Sequence, residues 1–263
     1  VKKARIDAVL AEQGLFPSRS AAAGAVRAGE VRIGRDGPVA LRPSQLVEPE
    51  AELIVDSGPR YVSRGGIKLD NALEALGIDV AGRDCLDVGA STGGFTDCML
   101  QRGAARVAAV DVAYGQIDAR LREDPRVTVI ERLNARELVP AGLPFAPALA
   151  TVDVSFISLT KVLPAVAGCL APGGEVLAMV KPQFELSRER VGRGVVRDAG
   201  DRREAILKVA EAATEIGLPV RGIASSGLPG PKGNRETFVW CGGEGEPVAN
   251  VEAAAAVAVE ADE

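Results

Sequence analysis

The sequence predicts an α/β protein in two parts, a small basic α+β module over residues 1–59 and a larger domain over 60–246 built on a seven-stranded, mostly parallel sheet. Three observations lead there. From residue 67 onward, short Val/Ala/Leu-rich segments alternate with helical ones, the pattern of a doubly wound sheet. The stretch SGPRYVSRGG, residues 57–66, breaks the periodicity at Gly58-Pro59 and again at Gly65-Gly66, and reads as a linker. Charge is divided as well: residues 1–47 carry eight bases against four acids, whereas 242–263 carry six acids and no base, so the net charge of −5 belongs to the far end.

Each element has its own reason. Ile6, Val9 and Leu10 share one helical face over 5–14, with Gly14 as the residue past the end. Ser18 is placed to cap a second helix that runs through Ala28 and stops at Gly29. Short strands follow at 31–33, 39–41 and 53–55, the first two joined by the turn Gly34-Arg35-Asp36-Gly37. In the second part, strands are predicted near 84–88, 106–111, 127–131, 148–153, 174–180, 219–224 and 236–241, with helices at 67–76, 93–102, 115–123, 158–170 and 201–217. Only GLPGPKGN, residues 227–234, separates the last two strands; it is too short for a crossover helix, so they should pair antiparallel. The Ala-rich acidic end, 247–263, reads as a frayed helix or disordered tail.

Composition excludes several classes. Gly89-Ala90-Ser91-Thr92-Gly93 satisfies the G-x-S-x-G of a serine hydrolase, but the chain has no histidine, so Ser91 lacks its usual base. With no histidine and no C-x-x-C, no metal site is expected. Cys85, Cys98, Cys169 and Cys241 sit in apolar runs and read as buried thiols of a reducing cytoplasm. No apolar run approaches the length of a membrane span, so the expected location is cytoplasmic, without membrane contact.

The chemistry should lie outside the carboxyl ends of the parallel strands. The first core strand delivers Asp87 and Gly89 there, and Gly93-Gly94 allow close approach of a ligand before the next helix. Asp111 ends the second strand, placed to accept hydrogen bonds from two ribose hydroxyls. No lysine or arginine lies between Asp87 and Gln101. A site with an acid at each end and no base for a phosphate suits a cationic, phosphate-free nucleoside such as S-adenosylmethionine better than a dinucleotide.

The run D-x-G-x-x-x-G-G-F-T-D at 87–97, with Asp111 closing V-A-A-V-D, resembles the Rossmann-like class I methyltransferases and, within them, the FtsJ-like RNA ribose 2'-O branch. Lys68 in SRGGIKLDNAL, Asp153 in TVDVSF, Lys181 in AMVKPQFE and Glu236 in GNRETFVW match, in order, the Lys-Asp-Lys-Glu tetrad of that branch. The front module, RIDAVLAEQGLFPSRSAAAGAVRAGEVRI followed by LRPSQLV, resembles the S4-type RNA-binding domain. Together they resemble the TlyA family of ribosomal RNA 2'-O-methyltransferases, historically labelled hemolysins. The acidic tail and the linker residues Arg60-Tyr61-Val62 depart from the pattern.

The resemblance implies S-adenosylmethionine held by Asp87, by Gly89, Ala90, Ser91, Thr92, Gly93, Gly94, Phe95 and Thr96 of the turn, and by Asp111 and Asn134. It implies ribosomal RNA held by Arg5, Arg19, Arg27, Arg32, Arg42 and Arg64. Lys181 is expected to take the ribose proton as a neutral amine, favoured by burial and by nearby Lys68, with Asp153 orienting it and Glu236 and Lys68 holding the ribose. Asp153-Val154-Ser155-Phe156 is not the Pro-Pro-aromatic motif of exocyclic base methylation, and no cysteine sits in a recognisable C5-methylation motif. The implied acceptor is a cytidine ribose of the 50S subunit, with KKAR at 2–5 leaning toward the 30S subunit as a second target. Two other readings are an S4 ribosome-binding factor with a non-catalytic donor site and a membrane-lytic hemolysin; the intact tetrad opposes the first, and the missing apolar span the second.

Overall fold

The computed structural model describes residues 3–16, 18–35, 37–55, 60–192 and 194–261. Lys2, Asp36 of the predicted first turn, residues 57–59 of the linker and the last two residues of the tail lie outside these. The chain divides into two compact units, 1–67 and 68–263.

The first unit contains β1 (Ala4–Arg5), α1 (Ile6–Glu12), α2 (Arg19–Ala28), β2 (Val31–Ile33), β3 (Leu46–Val47) and β4 (Leu53–Val55). β1 pairs antiparallel with β3, and β2 with β4. The strand expected at 39–41 is reduced to a single bridge from Val39 to Arg32. Ile6, Val9 and Leu10 meet Ala22, Val26, Val31 and Leu53 in one buried cluster. The shared face of α1 therefore does what its spacing requires, and Gly14, at φ +73°, follows the helix as its left-handed terminator.

Beyond it, α3 (Arg64–Leu76) begins inside the predicted linker. Then come β5 (Asp84–Val88), α4 (Gly94–Gln101), β6 (Arg106–Asp111), α5 (Ala119–Glu123), β7 (Val127–Glu131), β8 (Leu149–Val152), α6 (Leu163–Ala167), β9 (Glu175–Val180), α7 (Pro182–Glu185), α8 (Arg188–Val191), α9 (Ala199–Glu215), β10 (Val220–Ser225), β11 (Thr237–Gly242) and α10 (Val251–Glu260). All seven predicted strands form one sheet, ordered β10-β11-β9-β8-β5-β6-β7. β5 through β9 run parallel, and β11 lies antiparallel to both β9 and β10. The helix expected at 158–170 becomes a 3-10 turn, Leu159–Lys161, followed by the short α6. Pro164, which has no N–H to donate, stands at the start of α6, where that loss costs least.

Alternation along the strands assigns the two faces. Leu86 and Val88, Ala108 and Val110, Ala150 and Val152, Val176, Ala178 and Val180, with Val239 and Cys241, join Leu163 and Val166 of α6 and Ile206 and Val209 of α9 in a single buried cluster. The intervening residues face α4: the rings of Phe95 and Phe238 lie 5.8 Å apart, and Thr151 Oγ1 reaches the sulfur of Met99 at 4.0 Å. The four cysteines are free and buried, and burial pushes the thiols of Cys85 and Cys241 up to about 12.

The acidic end differs from the expected tail. α10 is capped by the Asn250 side chain, which accepts from the Ala253 N–H at 2.9 Å. Ala255, Ala258 and Val259 are buried, and two of them join the main core cluster. Alanine spacing that looks featureless in the sequence is what lets this helix approach α9 closely. Placing a carboxylate there by Ala255→Asp should cost about 3 kcal/mol in urea unfolding; a cost near zero would show that α10 does not pack.

Candidate active site

The carboxyl ends of β5, β6 and β8, with the segment after β7, enclose a cavity of about 580 Å³, within the range of small-molecule and cofactor sites. Gly89, Ser91, Asp111, Asn134 and Asp153 line it. Gly89 has φ +89°, and a side chain there would run into the Asp153 carbonyl at 2.5 Å, so the cradle depends on a missing Cβ. Asp111 accepts at one oxygen from the Ser91 N–H and at the other from the Ala113 N–H, both at 2.7 Å. Each carboxylate oxygen keeps further lone-pair capacity, and Asp111 lines the cavity. The Asn134 side chain accepts from the Arg136 N–H at 3.1 Å.

The remaining residues assigned to the donor lie elsewhere. Asp87 belongs to the α4 face of β5 and is fully buried, accepting from the Thr96 hydroxyl at 2.6 Å. Thr96 is fully buried as well, and Phe95 packs on Phe238. Ala90, Thr92, Gly93 and Gly94 build the turn without lining the cavity; the Gly93 N–H donates to the Ala90 carbonyl at 2.7 Å and the Thr92 carbonyl accepts from the Asp118 N–H at 3.1 Å. The period of two along β5 sends the Asp87 side chain away from the site, under the helix that the turn starts.

Two ion pairs stand at neighbouring strand ends. Lys181 Nζ is 2.5 Å from Asp153 Oδ1 and donates to Ser155 Oγ at 3.0 Å. Lys68 of α3 forms a buried pair with Glu236. Register explains why they meet at one edge: Thr237 faces Val180 across the antiparallel β9–β11 ladder, so Glu236 and Lys181 are the next positions on facing strands. The Lys68 charge is met by Glu236, and the charge at 2.5 Å from Lys181 is a carboxylate. The expectation that Lys68 acts on Lys181 by like-charge repulsion gives way to two compensated pairs.

Sequence reasoning missed part of the rim. Gln116, Arg136, Ser155 and Phe156 line the cavity, and Phe156 is 92 % exposed with φ +64° and its ring 5.2 Å from that of Phe184. Ser155 and Phe156 lie just beyond a predicted strand end, a signal that was available; Gln116 falls inside the helix predicted at 115–123, and Arg136 well past the third strand. In the first unit Arg5 and Arg19 converge on the buried carboxylate of Asp7, at 2.7 and 3.4 Å; the hydrogen bond from Arg5 pulls that carboxyl below its ordinary range. Arg27 and Arg42 are exposed, Arg32 lies half-buried on β2, and Arg64 is the first residue of α3.

Residues 61–243 match the FtsJ-like methyltransferase family and residues 4–53 the S4 domain. Fold and site therefore define a class: a methyltransferase taking its methyl group from S-adenosylmethionine, joined to an S4 domain. The chain is 50 % identical over 242 residues to the 16S/23S rRNA (cytidine-2'-O)-methyltransferase TlyA of Mycobacterium tuberculosis, covering 91 % of this chain and 90 % of that protein. It is 32 % identical to the 23S rRNA (cytidine-2'-O)-methyltransferase TlyA of Campylobacter jejuni, over 76 % of this chain and 80 % of that one. A solved structure carrying a hemolysin designation, from Streptococcus thermophilus, superimposes with a TM-score of 0.75 at 39 % identity, covering 98 % and 94 % of the two chains. The chain belongs to the TlyA family.

Burial is the main cause that lifts the Asp87 carboxyl to about 7, with Asp153 and Asp111 adding repulsion against the relief from Thr96. The unfolded carboxyl titrates near 3.8, so between these values the folded chain holds the extra proton and loses stability as pH rises, by up to about 1.4 kcal/mol per pH unit. Asp87→Asn, which still accepts from Thr96, should remove this slope. Unfolding curves at pH 5, 6 and 7 that stay parallel for the two proteins would refute the assignment.

Proposed function

We propose that the chain methylates the ribose 2'-oxygen of cytidine in ribosomal RNA, using S-adenosylmethionine, Lys68, Asp153, Lys181 and Glu236. The observation that carries this reading is the pair of ion pairs at adjacent strand ends, one of them formed with Asp153 of the cavity wall. When bound, the donor supplies an electrophilic methyl group. Gly89 and Ser91 hold its amino-acid part, Asp111 its ribose hydroxyls and Asn134 its adenine, while Asp153 lines the cavity toward the cationic end.

A ribose hydroxyl is a weak nucleophile at neutral pH, so its proton must leave as the new carbon–oxygen bond forms. Lys181 Nζ stands at the strand end where the hydroxyl enters; it releases its own ammonium proton to solvent before methyl transfer and then takes the ribose proton as an amine. Asp153 compensates the ammonium that results and fixes its direction with Ser155. Glu236 and Lys68 hold the ribose from the other strand. The exposed ring of Phe156 gives the target base a flat face to stack on.

Arg5, Arg19, Arg27, Arg32 and Arg42, all within the S4 match, and Arg64 beyond it are assigned to RNA phosphates. Both subunits are assigned as targets, since the relative at 50 % identity is named for 16S and 23S rRNA.

The test is transfer of tritiated methyl from S-adenosylmethionine to unmodified 30S and 50S subunits, mapped by ribose-sensitive primer extension. Label is expected at cytidine 2'-oxygens, and Lys181→Ala should lower turnover by about 10²–10⁴-fold with donor affinity kept. Asp111→Ala should weaken donor binding about tenfold or more, roughly the worth of a charge-assisted hydrogen bond, by calorimetry. Label on a base, or full turnover by the Lys181 variant, overturns the reading.

A further inference from the structure

Glu236 is held at more than its side chain. Its carbonyl accepts from the Ser226 N–H at 3.0 Å, and the Ser226 carbonyl accepts from Asn71 Nδ2 of α3, also at 3.0 Å. One turn of α3 thus grips both ends of the loop before β11, Lys68 at Glu236 and Asn71 at Ser226. The loop itself passes so close to Glu236 that a Cβ on Gly230 would meet Glu236 Oε1 at 2.7 Å. A loop packed this tightly on a buried carboxylate transmits its own position to that carboxylate.

What fixes the loop is Asn234, two residues before Glu236 and only 2 % exposed. Its Nδ2 donates to the Gly194 carbonyl at 2.8 Å, and its Oδ1 accepts from the Val196 N–H at 2.9 Å. Its own carbonyl accepts from the Gly230 N–H at 2.7 Å, closing the loop on itself. Gly194 and Val196 belong to the irregular segment between α8 and α9, where no ladder would satisfy their polar groups, and Val196 is buried. A buried amide that meets one N–H and one C=O of a separate segment acts like a missing rung of sheet between two loops.

We infer that Asn234 is a positioning residue for methyl transfer, acting through Glu236: its side-chain amide ties the 194–196 segment to the 230–234 loop and so sets where the Lys68–Glu236 pair meets the acceptor. The inference rests on the proposed ribose methylation, in which Glu236 touches the substrate. Asparagine is the residue this place needs, because it donates and accepts on one planar group; aspartate loses the donor and leucine loses both.

The test is kinetic, with a structural measurement beside it. Asn234→Ala should lower kcat about tenfold, as expected for a displaced catalytic contact, while the donor dissociation constant and the KM for 50S subunits change by less than about threefold. In a Glu236→Gln background the same substitution should cost less than about twofold, because two residues acting as one unit do not add. An undiminished loss in that background, or a raised KM with kcat intact, overturns the inference. Hydrogen exchange on the unaltered protein serves if the Ala variant does not fold: the Val196 amide should be protected like a sheet amide, and exchange at the rate of an open loop overturns the clamp. Absence of any methyl transfer by the unaltered protein would sink the ribose reading alone, with the Val196 amide still reporting on the clamp.

Discussion

The antiparallel entry of β11 beside β9 is the constraint on which the site depends. Parallel strands alone would deliver Asp87, Asp111, Asp153 and Lys181 to one edge, all from carboxyl ends. Only a strand running the other way can bring its amino-terminal end there, and β11 does so with Thr237 opposite Val180. A slip of one residue would turn Phe238 off the α4 face and send Glu236 away from Lys68. The buried Lys68–Glu236 pair adds little stability by itself, since desolvation of two charges offsets most of their attraction. Its retention at a strand end is better understood as positional.

Three acids at neighbouring strand ends are given three different environments. Asp87 lies under α4 with one oxygen on Thr96 and is pushed toward the neutral form by burial. Asp111 is wrapped by two backbone N–H groups at 2.7 Å, which fix both oxygens before any ligand arrives. Asp153 is set against Lys181. The repulsion that Asp153 and Asp111 exert on Asp87 adds to burial in favouring its neutral form. A neutral acid can anchor the turn from Gly89 to Thr96 without adding a third negative charge beside the cavity.

The strands were legible because each is a short segment rich in Val, Ala, Leu or Ile set between helical or turn segments, and all seven are found within two residues of their predicted places. The four residues proposed as a tetrad were picked out through resemblance, and their pairing became visible only in the register of β9 and β11. What sequence could not show were side-chain directions. Asp87 and Gly89 are two residues apart and look alike as site residues, yet Asp87 is buried within the strand under α4, while Gly89, past the strand end, lines the cavity with backbone alone. Asn134, Ser155 and Phe156 lie in irregular segments, where no periodicity assigns a face. The packing of α10, read as a frayed helix or disordered tail, was missed because alanine marks neither a core nor a surface until a partner helix is known.

Backbone strain tells the same story from the opposite direction. Among the described residues, Ser91, Arg132 and Phe156 are the non-glycine residues with positive φ, at 49°, 61° and 64°. Ser91 and Phe156 line the cavity and Arg132 adjoins Leu133, which also does. Each such conformation costs about 1–3 kcal/mol and persists only where its surroundings hold it. At Ser91 the holder is Asp111, which accepts the Ser91 N–H; at Phe156 the contact is its ring against Phe184. The group proposed to bind the donor ribose is therefore also one that secures strained backbone, so loss of Asp111 should be felt in the shape of the rim as well as in its charge.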